Sequence, residues 1–415
     1  MVCEPFCRTV KYPCAGIYLH IPFCRQLCYY CDFHFSLSLR DKDEMMAAMA
    51  REMALRRDYL NGRTADIETL YFGGGTPSVL ELADIERLLD RIAALFPLSA
   101  NAEITLEANP DDLAPEYLLG LKALGINRLS IGVQSFHDQE LAMMNRRHTA
   151  GQAVRCVEDA FRCGFDNVTL DLIYGLPDST PDSWSHSLEM ALALSPPHLA
   201  CYHLAFEERT AFANFRKKGQ LGERPEAVSW AQYQWLCDRM GAGGYEHYEI
   251  SNFAQAGWQS RHNKAYWAGG VYLGIGPSAH SFDGTSRQWN IAHNRKYREA
   301  VSREAGFHES TGDSQPLQSS FVFGDDAARH DRLYEREVLS DKDRFHDYLL
   351  TRLRTAEGID PRYLQNHFTD LYPDFYKRFV RYLGTDALAG TGHRYRLTEK
   401  GMFQSDGIIG DLFVE

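Results

Sequence analysis

The run Ile17-Tyr18-Leu19-His20-Ile21-Pro22-Phe23-Cys24-Arg25-Gln26-Leu27-Cys28-Tyr29-Tyr30-Cys31 joins an apolar, strand-like stretch to three cysteines spaced Cys-x₃-Cys and Cys-x₂-Cys. Three thiolates from one tight loop can hold three irons of a cubic [4Fe–4S] cluster, which leaves the fourth iron open to a small molecule. Zinc is the rival occupant. Structural zinc sites are closed by four ligands and present two separated pairs, and here Asp32 and His34 are the nearby fourth ligands. The ligand pattern favours the iron–sulfur reading and leaves zinc open. Three unliganded buried cysteines packed into eight residues is the weakest of the readings.

Outward from this loop the chain alternates. Strand patterns fall at 16–21, 67–72, 103–108, 128–133, 167–173 and 198–204. Helical patterns fall between them at 42–60, 80–96, 115–124, 151–163 and 182–194. Met45, Met49 and Met53 recur at four-residue steps in the first helix, a stripe that reads as core. Strands separated by helices imply parallel βαβ units. Six such strands predict an α/β fold, a partial (β/α)6 barrel that stays open, with site residues at the carboxyl ends of the strands.

Polar residues fall at those ends. Gly73-Gly74-Gly75-Thr76-Pro77 closes the second strand and reads as a turn that exposes backbone amides to a carboxylate or brings an amine close to the chain. Glu107 closes the third strand and Gln134 the fourth; Arg146 follows twelve residues later, and Asp171 lies within the fifth. A carboxylate in an apolar strand is costly to bury without a partner. A hydrogen bond to a neighbouring loop, or an ion pair with Arg128 or Arg146, is the ordinary explanation for such a residue. Further on, His262 and Tyr266 of His262-Asn263-Lys264-Ala265-Tyr266-Trp267 are four apart and share a face if helical. The glycine-rich stretch 273–281 follows. An imidazole beside Tyr266 and Trp267 suits a flat, hydrophobic, iron-bearing macrocycle.

The cysteine spacing after a strand, with Tyr30 just before the last cysteine, resembles the radical S-adenosylmethionine (SAM) superfamily. Tyr18-Leu19-His20-Ile21-Pro22-Phe23-Cys24 and Cys31-Asp32-Phe33 are similar to a narrower branch: oxygen-independent coproporphyrinogen III oxidase and its relatives, the haem chaperones. The resemblance runs from about Gly16 to beyond His280. It implies a [4Fe–4S] cluster on Cys24, Cys28 and Cys31, with SAM on its open iron. Gly74, Gly75 and Thr76 would receive the SAM amino group and Arg146 its carboxylate, a planar fork that suits that group. Glu107, Gln134 and Asp171 would lie near the ribose, sulfonium or adenosyl side, and Tyr18 and Tyr30 would flank the cluster and adenine. The His-Asn-x-x-Tyr-Trp word is similar to the haem-associated motif of the chaperones, which implies haem as a cofactor contacting His262, Tyr266 and Trp267.

The chain departs from the oxidases at Phe33, where they carry a fourth cysteine, and in a short arm of 23 residues before the cluster loop. Both departures match the chaperones. The resemblance therefore implies a protein that binds haem or a porphyrin and delivers haem to haem-requiring apoproteins. The alternative it leaves is the enzyme, in which reductive SAM cleavage drives oxidative decarboxylation of a porphyrinogen.

Bulk composition bounds the rest. A net charge of −12 argues against a broad nucleic-acid footprint, since phosphate binding wants a basic face. No window of about eighteen apolar residues marks a spanning helix, and the first residues lack a secretory signal's apolar core. The expectation is a cytoplasmic protein with at most peripheral membrane contact; a homodimer is left open. Cys156, Cys163, Cys201 and Cys237 are scattered singly and read as small buried hydrophobes in a reducing setting. Cys3, Cys7 and Cys14 precede the motif at uneven spacing. The domain expectation is an arm (1–15), the barrel (16–240), an extension with the His-Asn-x-x-Tyr-Trp word (241–304), a polar linker (305–332) and a C-terminal domain (333–415). Ser340 and Asp343 can cap a helix there, and the remaining signals resemble a small winged-helix-like α+β domain, expected to cover the barrel mouth.

Overall fold

Strand β1 (Ala15–Ile21) buries every residue but Tyr18, which is half-buried. An apolar run of this kind is buried on both faces of a parallel sheet. The structure, a computed structural model, describes residues 15–60, 66–177, 179–311 and 332–415. Cys3, Cys7 and Cys14, the expected arm up to residue 14 and most of the expected linker lie outside the described residues. The helix Asn294–Thr311 continues into the first residues of that linker.

The chain forms two units. The first comprises residues up to Gly132, Ala142–Val168 and Gly270–Val338; the second comprises Val133–Leu141, Thr169–Gly269 and Leu339–Glu415. In the first, β1 pairs in parallel with β2 (Ile67–Gly74), β2 with β3 (Leu98–Ala108), and β3 with β4 (Arg128–Gln134). In the second, β5 (Asn167–Tyr174) runs parallel to β6 (His198–His203). Antiparallel strands β7 (Glu246–Glu249) and β8 (Asn252–Ala254) follow, with β8 on β6.

The first unit's sheet grows on the other side of β1 as well. There β9 (Val271–Ile275) pairs in parallel with β1, and β10 (His280–Phe282), β11 (Ser286–Asn290) and β12 (Tyr334–Val338) add antiparallel strands. The sheet is mixed and open, not a closed barrel. The six expected strands are all present, each within a few residues of its expected bounds. The antiparallel additions carried no clear period because β8 and β10 are only three residues long.

Met45, Met49 and Met53 are fully buried, so the stripe is core. The helix that carries them ends at Leu55 rather than Leu60. Just past its end, Arg56 turns inward and bonds the carbonyl of Gly274 (3.1 Å), Ser281 Oγ (3.0 Å) and Gln288 Oε1 (2.7 Å). Cys156, Cys201 and Cys237 are buried and Cys163 half-buried, all as free thiols. In the second unit, the Ser340 side chain accepts from the Asp343 amide as expected, and Phe345, Leu349 and Leu353 are buried on the helix it caps. The hairpin β13 (Leu388–Thr391) with β14 (Arg394–Leu397) completes the C-terminal segment. Two backbone bonds stitch that segment to the β7 turn: Ile250 N–H to Arg354 O (2.8 Å) and Ala356 N–H to Tyr248 O (3.0 Å). Among the described residues no helix is long and apolar enough to cross a membrane.

Candidate cluster and cofactor site

The cysteine loop leaves the carboxyl end of β1 and closes on itself at the neck. The Ser36 amide donates to Pro22 O (2.9 Å) and the Cys24 amide to Ser36 O (3.0 Å). Within it, Cys31 N–H donates to Cys28 O (3.2 Å), the tight turn that a two-residue spacing permits. A second segment braces the loop from outside. Met144 O accepts from the Tyr29 amide (3.1 Å), Asn145 O from Gln26 Nε2 (2.8 Å), and Leu27 O from Asn145 Nδ2 (2.6 Å). Asn145 does this from the left-handed region (φ 58°), which asparagine tolerates better than most residues.

That brace delivers Arg146 to the sulfurs. Its guanidinium reaches Cys28 Sγ (3.2 Å), Tyr30 Oη (3.4 Å), Asn109 Oδ1 (2.5 Å) and Gly132 O (2.7 Å). Burial works against its charge, but Tyr30 and Cys28 outweigh burial and hold its pKa above the ordinary value. Thr76 Oγ1 donates to Cys24 Sγ (3.3 Å). Burial, followed by the neighbouring thiols, pushes Cys24 up to about 12; Cys31 is pushed up to about 11, chiefly by burial. Such thiols keep their protons at neutral pH unless a metal centre displaces them.

Soft sulfur donors beside one guanidinium fit an iron–sulfur cluster. Among the described residues no three His, Cys, Asp or Glu side chains gather tightly enough to hold a single metal ion; in a cubic cluster each thiolate takes an iron of its own. The zinc reading also loses His34, whose Nε2 bonds Asn294 Oδ1 (2.7 Å). Phe33 is 71% exposed.

The glycine turn packs on the neck of the loop. A Cβ on Gly75 would lie 2.7 Å from Phe23 O, and one on Gly74, at φ 108°, would meet the His20 ring at 2.6 Å. The expectation that this turn exposes its amides is corrected. Gly74 N–H donates to Glu107 Oε2 (3.2 Å), Gly75 N–H to Ile21 O (2.9 Å) and Thr76 N–H to Phe23 O (2.8 Å). The amides hold the loop together, because buried donors find partners. Glu107 Oε1 accepts from Tyr71 Oη (2.8 Å), and burial pushes its carboxyl up to about 7. Tyr18 lies against Tyr71 with ring centroids 6.1 Å apart.

Cys24, Cys28, Cys31, Tyr18, Tyr30, Gly74, Gly75, Thr76, Glu107 and Arg146 thus share the first unit. Gln134 and Asp171 belong to the second. Gln134 is nearly buried and sits at φ 67°, strain of the kind that persists where surroundings over-determine a residue. Asp171 is half-buried in β5, in register with Ala200. His262, Tyr266 and Trp267 lie on the helix Arg261–Trp267, where His262 and Tyr266 share a face as their four-residue spacing implied. His262 is 2% exposed, and its Nε2 is bonded to Tyr266 Oη (2.8 Å). The Trp267 side chain bonds Glu249, a buried carboxyl that burial pushes up to about 7.

One residue escaped the sequence reading despite standing in the deciding motif. His20 is buried and held down at about 4, chiefly by burial. The neutral ring pairs with Tyr18 Oη through Nδ1 (3.2 Å) and with the His34 carbonyl through Nε2 (2.8 Å). It joins β1 to the far end of the cysteine loop. The signal was a histidine inside an otherwise apolar strand.

A family model of the radical SAM superfamily matches residues 18–191. The heme chaperone HemW of Bacillus subtilis is 38% identical over 312 residues, covering 74% of this chain and 82% of that protein. That of Lactococcus lactis is 32% identical over 399 residues, covering 96% and 97%. Among solved structures, coproporphyrinogen III oxidase (HemN) from Escherichia coli superposes with a TM-score of 0.77 at 24% identity, over 97% of this chain and 91% of that one; at that identity the likeness concerns the fold. An open α/β sheet with a three-cysteine loop at the end of its first strand defines the radical SAM class. Within it, this chain belongs to the heme chaperone HemW family.

Proposed function

We propose that this chain is a haem chaperone. It holds a [4Fe–4S] cluster on Cys24, Cys28 and Cys31, binds SAM beside it, carries haem, and passes haem to haem-requiring apoproteins in the cytoplasm. The observation that carries the reading is the cluster loop. One buried thiol (Cys24) and two half-buried ones (Cys28, Cys31) stand on one loop, Cys28 against the Arg146 guanidinium, on a neck closed by its own backbone, with an exposed phenylalanine where the related oxidases carry a fourth thiol.

A cluster on three cysteines supplies an open iron to chelate SAM and, when reduced, an electron for it. The chain's own residues do the rest. Arg146 braces Cys28 and tempers the charge that gathers on the sulfurs. It also lies within reach of a ligand carboxylate, for which its paired donors are suited. Gly74, Gly75 and Thr76, on the turn packed against the neck of the loop, receive the SAM amino group. Glu107, placed beside Gly74 and Tyr71, accepts hydrogen bonds from ribose hydroxyls, with Tyr18 and Tyr30 as flanking rings. At the His-Asn-x-x-Tyr-Trp helix, haem contact through His262 requires the Tyr266 hydroxyl to give way. The net charge of −12 argues against a broad nucleic-acid footprint.

The test is an anaerobic haem titration of cluster-loaded protein followed by visible absorption, alongside His262→Ala. Saturable binding by the wild type, weakened by the substitution, is expected. Binding untouched by the substitution discards His262 and keeps the function. Absence of saturable binding discards haem carriage.

A further inference from the structure

The second unit contains a cavity of about 520 Å³ that none of the cluster, SAM or haem-motif residues lines. Its walls are the helix Glu226–Ala242, strand β7, the hairpin β13–β14 and the short helix Glu399–Phe403. The volume falls in the range of small-molecule sites, about 300–1,000 Å³.

The lining divides by chemistry. Trp230 and His247 present flat rings, and the nearly buried Met402 adds a polarisable thioether. Each ring is fixed from behind. Trp230 packs on Phe403 (centroids 5.3 Å) and Tyr233 (6.0 Å), and His247 stacks on Phe253 at 4.2 Å with its Nε2 bonded to Ile250 O. Burial holds the imidazole down at about 4, so the wall is uncharged at neutral pH.

The rim is charged and unevenly satisfied. Lys400 Nζ bonds Asp386 (2.6 Å), and Glu399 faces the positive end of the short helix it begins. Among the described residues the Arg396 side chain has neither an ion-pair nor a hydrogen-bond partner. A guanidinium at the mouth of an aromatic cavity is a ready partner for a carboxylate.

We infer that this cavity is a binding site for a planar, carboxylate-bearing macrocycle: the ring system against Trp230 and His247, an edge carboxylate on Arg396. This deepens the haem-carrier reading and rests on it, giving the cargo a second station apart from His262. The two stations share β7, since Glu249 of that strand bonds the indole of Trp267 while His247 lines the cavity.

The full-length, cluster-loaded protein is titrated with haem and, separately, with metal-free protoporphyrin IX. Binding is read by absorption and by quenching of tryptophan fluorescence, for the wild type, Arg396→Gln, Arg396→Lys, Trp230→Phe and His262→Ala. Arg396→Gln is expected to weaken binding of both ligands ~10-fold, an effect of one charge-assisted contact, and Arg396→Lys to restore much of it. Wild-type binding should weaken with added salt more than that of Arg396→Gln. Trp230→Phe should lose a large share of the quenching. Unchanged far-ultraviolet circular dichroism and an unchanged urea midpoint confirm that each variant is folded. Haem binding that none of the Arg396 or Trp230 variants alters overturns the cavity and leaves the carrier reading standing. Protoporphyrin binding sensitive to Arg396, with no haem binding, supports the cavity and overturns haem as cargo. If the wild type binds neither ligand, both fall.

Discussion

At the scale of single residues, the cluster loop makes the sharpest demands. Cys28 faces the Arg146 guanidinium at 3.2 Å, and Cys24 and Cys31 are held protonated until a metal centre replaces the proton. Serine at any of the three is expected to abolish the absorbance of the reconstituted iron–sulfur protein while leaving its far-ultraviolet circular dichroism unchanged. Persistence of that absorbance in Cys28→Ser would remove Cys28 from the ligand set. A second expectation concerns Glu249, buried and pushed up to about 7 from an ordinary 4.5. A raised carboxyl favours the protonated folded state, so its contribution to stability is fully present below about pH 4.5. It is lost as pH rises through about 7, by up to about 3 kcal/mol. Urea midpoints for wild type and Glu249→Gln should therefore diverge between those pH values, with the variant relatively more stable at the upper end. Parallel curves would contradict this.

At the scale of elements, close packing holds the turns on either side of β1 in place. Gly75 lies where a Cβ would press on Phe23 O at 2.7 Å. Gly75→Ala is expected to shift the glycine turn, lower the urea midpoint by the equivalent of about 1–3 kcal/mol, and weaken SAM binding measured by calorimetry. On the other side of β1, the turn after β9 is held by a buried pair. Glu52 accepts from Arg56 (3.1 Å), Gly276 N–H (2.9 Å), Asn290 Nδ2 (2.7 Å) and Tyr297 Oη (2.5 Å). Glu52→Ala leaves the Arg56 charge buried and unbalanced, at an expected cost of about 3–5 kcal/mol by chemical denaturation. A loss under about 1 kcal/mol would show that Arg56 finds compensation elsewhere.

These elements also mark what the sequence makes legible. The six parallel strands were readable because their apolar runs are continuous and bounded by glycine, proline and polar residues. The short antiparallel strands β7, β8 and β10 were not, since three or four residues carry no measurable period. The cysteine loop stood out by its spacing, which favoured a cluster and left zinc open. The closure of the glycine turn's amides, the use of Arg146 on a sulfur and the clamp made by His20 all depend on long-range contacts, which no local pattern encodes. Glu52 and Arg56 were hidden for a related reason: an i,i+4 charge pair on a helix ordinarily reads as a solvated face, and here both charges are buried.

At the scale of the whole molecule, the chain shares its fold with coproporphyrinogen III oxidase (HemN) from Escherichia coli. Family membership over most of the chain sides with haem carriage rather than porphyrinogen decarboxylation. The most direct test is transfer. Cluster- and haem-loaded protein is mixed anaerobically with a haem-free acceptor that ligates haem through histidine, and the acceptor's visible spectrum is followed with time. The expected result is development of the holo-acceptor spectrum at the expense of the loaded protein. Haem that stays with the carrier, together with SAM-dependent conversion of coproporphyrinogen III to protoporphyrinogen by the same preparation, would contradict the chaperone and establish the enzyme.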